Sequence, residues 1–97
     1  MLGLTATDQA KASLRRLRDG GGNASRAAYA AIGERIGLIR ADPEEPSARG
    51  LVRLMPASGV LVRVAVVPVP GFGETWVVVW TLGQDAIELR LVEPYEG

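Results

Sequence analysis

The chain changes its hydrophobic period halfway along. In the first forty residues, Ala6, Ala10, Leu14 and Leu17 recur at helical spacing, with Lys11, Arg15, Arg16 and Arg18 on the other faces. Thr5-Ala6-Thr7-Asp8 has the spacing of a capping box, and Gly20-Gly21-Gly22 closes the segment. These signals predict a helix over about 6–19. Asn23 or Ser25 can cap a second one. Its apolar stripe is Ala28, Ile32, Ile36 and Ile39, and Asp42-Pro43 ends it, giving a helix over about 24–40. Gly33 and Gly37 inside it predict a smooth face for close approach of the first helix. The segment from Asp42 to Gly50 reads as a polar connector.

From Leu51 the period becomes two. Strands are expected over about 51–56, 60–69, 75–82 and 86–93, separated by turn residues such as Pro70-Gly71-Phe72-Gly73 and Gly83-Gln84-Asp85. Short connections favour antiparallel pairing. The predicted fold class is therefore α+β: one domain over 1–97, with an N-terminal helical hairpin packed on one face of a three- to four-stranded antiparallel sheet.

Alternation within the strands assigns faces. Val52 and Leu54 oppose Arg53; Val60, Val62, Val64 and Val66 oppose Arg63; Ile87, Leu89 and Leu91 oppose Glu88 and Arg90. One sheet face is then apolar and covered by the helices. The open face carries Arg53, Arg63 and Arg90, with Glu88 beside them. Trp76 and Trp80 are placed on the core side, and Thr75, Val77, Val79 and Thr81 on the open side.

Composition narrows the chemistry. Among 97 residues there is no Cys and no His, which excludes disulfides, thiolate metal sites, cysteine nucleophiles and the Ser-His-Asp triad. No cofactor or metal site is expected. Eleven basic residues balance eleven acidic ones, which argues against a general polycation but leaves room for a local basic patch. No secretory signal is visible, and the apolar run from Val64 to Pro70 is far below the roughly 20 residues that span a bilayer. A cytoplasmic protein without membrane contact is expected. Three arginines on an open sheet face suit phosphates or an acidic partner segment. A solvated face with cross-strand Arg–Glu pairing is the plainer reading. Tyr95, just past the last strand, is either a tail residue covering the sheet edge or a stacking or acid–base group.

The element order and three local patterns resemble the RelE/ParE family of bacterial toxins. The patterns are Ile36-Gly37-Leu38-Ile39-Arg40-Ala41-Asp42-Pro43, then Leu51-Val52-Arg53-Leu54 with Val62-Arg63-Val64, then the Trp76–Thr81 strand followed by Ile87-Glu88-Leu89-Arg90-Leu91. The resemblance implies the toxin of a type II toxin–antitoxin module, neutralised by a cognate antitoxin in a dimer or heterotetramer. It would act as a ribosome-dependent mRNA endonuclease or as an inhibitor of DNA gyrase. Arg63 matches the arginine of the family's second strand, Arg53 more loosely, and Tyr95 lies near the place of a tail tyrosine; with Arg90 they form the candidate catalytic set. The chain departs from the nuclease branch in its neutral charge, in the absence of sheet lysines and in its last strand. RNA cleavage also needs a base and an acid as well as cations. The alternative is a non-catalytic α+β protein-binding module, or a degenerate subunit of the same fold. An apolar or ion-paired open face favours the latter; clustered, unpaired arginines favour the toxin.

Overall fold

The computed structural model describes residues 2–54 and 59–95. The element order is β1 (Gly3–Ala6), α1 (Asp8–Asp19), α2 (Asn23–Ala41), α3 (Pro46–Arg49), β2 (Leu51–Leu54), β3 (Leu61–Val69), β4 (Glu74–Leu82) and β5 (Ala86–Pro94). Two helices pack on a five-stranded sheet of order β1-β5-β4-β3-β2, antiparallel except where β1 runs parallel to β5. The α+β class and the helical hairpin are as expected. The fifth strand is not, and it makes the sheet mixed. Positions 55 and 56 of the expected second-half strand lie outside the described residues.

The first strand escapes a pattern search because it has four residues, two of which serve a helix reading equally well. Thr5 belongs to β1, and the N-cap of α1 is Thr7, whose Oγ1 accepts from the Ala10 amide at 3.3 Å. From Thr7 the chain continues along the β5 edge. The Thr7 amide donates to Leu89 O at 2.9 Å and its hydroxyl to Arg90 O at 2.8 Å. The Gln9 side chain then donates from Nε2 to Val92 O and accepts at Oε1 from Val92 N, both at 3.1 Å, as a neighbouring strand would. Buried Ser13 adds a third bond, donating to Val92 O at 2.7 Å. Side chains of α1 thus satisfy backbone groups that β1 is too short to reach. The connector from Asp42 is less irregular than expected, since it contains the short helix α3, with Pro46 at its start and the Glu45 side chain accepting from Ser47 N.

The core lies between the helices and one sheet face. Ala28, Ile32, Ile36 and Ile39 of α2 and Ala10 and Leu17 of α1 meet Ala65, Val67, Val69, Val78, Trp80, Ile87, Leu89 and Val92. The α2 stripe and the placement of Trp80 are as read from the sequence; the α1 stripe is reduced to Ala10, Leu14 and Leu17, because Ala6 belongs to β1, and Trp76 packs against the core partly buried.

The glycines of α2 correct one expectation. A Cβ added at Gly33 or Gly37 would meet nothing within 4 Å, so they are not where α1 approaches. Instead they line an open groove of about 290 Å³ with Leu4, Leu14, Tyr29, Ile36 and Arg40. Neither has a positive φ. Gly33→Ala and Gly37→Ala should each stabilise the fold by up to about 1 kcal/mol, by removing the cost of glycine within a helix. Urea denaturation of the double variant checks this; destabilisation would mean that the groove is closed in solution.

Candidate functional site

Register decides which side chains share a face. Leu51 pairs with Val64, Val64 with Val79 and Val79 with Leu91, so these four form one row across β2, β3, β4 and β5. A second row runs Val66–Val77–Glu93. On the other side of the first lies a row with Arg53 paired to Val62, and Thr81 paired to Glu88. Val62 and Thr81 stand one step beyond the Arg63–Trp80 pair, which joins the two halves of that row. These rows lie on the face opposite the helices, because the intervening residues Ala65, Val67, Val78, Trp80, Leu89 and Ile87 form the helix-side core. The open face is therefore a field of valine and leucine. Leu51 and Val66 are 54% and 39% exposed, while Val62 and Val77 are buried yet stand outside the helix-side cluster.

This placement corrects the reading of β3. Valine occupies both parities of Leu61–Val69, so alternation alone gives no face, and only the arginine marks an open side in the sequence. Packing chose differently. Ala65, Val67 and Val69 go under α2, and Arg63, of the same parity, lies on the helix side where α2 has already ended. There its guanidinium stacks on Trp80, 5.2 Å from the ring centroid, and its Nη1 stands 3.1 Å from Glu44 Oε1. The side chain is 16% exposed. The approach to Glu44 is off the hydrogen-bonding direction, since buried Nη1 has no hydrogen-bond partner among the described residues. Arg49 joins the same corner, its Nη1 3.8 Å from Glu44 Oε2 and its carbonyl accepting from Trp80 Nε1 at 3.2 Å.

β5 holds a second correction. A bulge falls opposite the Val79–Trp80 step, where Val79 faces Leu91 but Trp80 faces Leu89. Arg90 is the extra residue. The slip moves Leu91 to the open face and hands its expected core position to Val92, which is fully buried.

The four candidate residues do not converge. Arg53 is on the open face of β2 and exposed; among the described residues its side chain bonds its neighbour's carbonyl, Val52 O, at 3.2 Å. Arg90 is paired with Glu88 at 3.5 Å on β5, three strand spacings away, or about 14 Å. Tyr95 donates its backbone amide to Thr75 O, six residues along β4 from the Arg53 row, which is roughly 20 Å. Arg63 is on the opposite face. General acid–base work on one phosphate requires groups within hydrogen-bond reach of common atoms. Among the described residues, no group of His, Cys, Asp or Glu is arranged to hold a metal ion, and no helix is long and apolar enough to cross a membrane. Val77 and Val79 stand on the open face, as the alternation of β4 predicts; the β3 valines that join them are not predicted there, because Arg63 outweighs them in the pattern.

Comparison with protein-family models, with curated proteins and with solved structures finds no match to this chain.

Proposed function

We propose that this chain is a non-catalytic α+β module that binds a protein through the open face of its sheet. The observation that carries the reading is the apolar row Leu51–Val64–Val79–Leu91, flanked by Val62, Val66 and Val77, on a face that no helix among the described residues covers. A contiguous apolar face that no helix covers, with Leu51 and Val66 exposed and Val64, Val79 and Leu91 half-buried, is of the kind that marks interaction sites. The arginines that a phosphate-cleaving site requires are dispersed over two faces. Two of the three are held by carboxylates, Arg63 by Glu44 and Arg90 by Glu88.

The test has two parts. Purified chain added to ribosomes translating a defined mRNA should leave the message intact, and induction in a bacterial host should not arrest growth. Arrest that Arg63→Ala relieves at equal expression would overturn the reading in favour of a toxin acting through that arginine. Secondly, a photoreactive benzophenone amino acid in place of Val79 should give a protein adduct in cells, whereas the same group at Lys11, exposed on α1, should not. No adduct at Val79 would remove the binding reading.

A further inference from the structure

We infer that the occupant of the open sheet face is a second copy of this chain, packed sheet to sheet about a two-fold axis parallel to the strands. This rests on the reading of that face as a protein-binding surface and names its partner. The argument is one of self-complementarity. An axis along the strands, placed between β3 and β4, keeps every row at its own level and exchanges left for right. β2 of one copy then lies over β5 of the other, and β3 over β4. Within the apolar row, Leu51 meets Leu91 of the second copy and Val64 meets Val79. In the next row, Val66 meets Val77.

The charges fit the same operation. Arg53 and Glu88 stand at opposite ends of one row. The two-fold brings Arg53 of each copy over Glu88 of the other, twice per dimer. Within one copy, Arg53 has no carboxylate partner among the described residues, and Glu88 is shared only with Arg90 at the rim. Glu93, at the end of its row, faces a level that β2 does not reach, since β2 begins at Leu51. It stays at the wet edge, so the operation buries no unpaired charge on the strands. An operation that placed β2 over β2 would reverse the levels and, centred on the apolar row, set Glu88 of each copy against Glu93 of the other and leave Arg53 without a partner.

Area and edges agree. Strands of these lengths give a face on the order of 600 Å² per copy, or about 1,200 Å² for the pair, the lower bound of what specific interfaces bury. Stacked sheets with strands aligned within about 30° pack valine faces in this way. Association through the sheet edges is disfavoured. Both outer strands have four residues, and Pro68 removes a donor from the stretch of β3 that extends past β2.

Sedimentation velocity on the full chain at micromolar concentrations tests the inference. The wild type should sediment at twice the chain mass, and Val79→Glu as a monomer. Arg53→Glu and Glu88→Arg should each weaken association about tenfold or more, because each sets like charges together at two symmetry-related points. The combined Arg53→Glu/Glu88→Arg variant should recover most of the lost affinity. Both positions are at the surface, and recovery in the double variant excludes misfolding as the cause. A dimer indifferent to Val79→Glu and to the charge swaps would overturn the inference, because it would use another face. A wild type that stays monomeric also overturns it. In that case an adduct at position 79 with a different protein leaves the binding reading standing, and no adduct removes both.

Discussion

Gly50→Ala is expected to remove a large part of the fold's stability, about 3 kcal/mol or more. Gly50 has φ 83° and ψ −160°, a region essentially closed to residues with a side chain. That conformation alone costs of order 1–3 kcal/mol for alanine. The second term is steric. An alanine Cβ would overlap Val64 O and lie 2.7 Å from Val64 C and 2.8 Å from Ala65 Cα, all backbone of β3. Backbone cannot rotate away, so β2 or β3 must shift and the β2–β3 ladder with it. Gly21→Ala is the control. Its φ is 77°, but a Cβ there meets nothing within 4 Å. It should lose only the conformational part, about 1 kcal/mol. Urea denaturation of both variants separates the two terms. A domain of this size has roughly 5–15 kcal/mol in total, so the Gly50 variant should melt well below the wild type. Equal losses in both variants would mean that α3 and β2 do not sit against β3 as described.

Close approach at Gly50 also explains why the candidate site was only partly legible. The helix stripes follow from spacing alone, because Ala28, Ile32, Ile36 and Ile39 have no competing reading. Trp80 was placed correctly because it is the bulkier choice between the two parities of β4. β3 was not, because valine on both parities leaves its face to be set by what covers it. α2 covers Ala65, Val67 and Val69, while Gly50 lets the α3–β2 corner close over Arg63. Glu44, the ion-pair partner of Arg63, sat in a stretch read as solvated connector. Nothing in local sequence connects residue 44 with residue 63. The bulge at Arg90 is equally silent in the alternation of Ile87, Leu89 and Leu91, since it shows only in the pairing with β4. β1 is a case of length: four residues carry too little pattern, and their strand identity comes from the edge that β5 offers.

Trp80→Ala should cost about 3–5 kcal/mol, the range for removing a fully buried large aromatic side chain. Trp80 has 0% exposure, belongs to the core on the helix side of β4, and donates from Nε1 to Arg49 O. Its loss opens a cavity, leaves the Arg49 carbonyl without that donor and removes the ring beneath Arg63. The milder Trp80→Leu keeps the position apolar but removes the aromatic face, so that a cycle with Arg63→Ala separates the last effect from the other two. A double-mutant cycle of Trp80→Leu with Arg63→Ala, read by thermal and urea denaturation, should give a coupling of about 0.5–1 kcal/mol, as expected for a partly desolvated cation over indole. Arg63→Ala alone should lower stability measurably, since it also strips Glu44 of its nearest cation. Strict additivity, with Arg63→Ala neutral for stability, would release Arg63 from its structural role and return it to the list of residues free to meet a ligand. Coupling ties the arginine to the fold, where the indole and the Glu44 carboxylate hold it on the face away from the valine field.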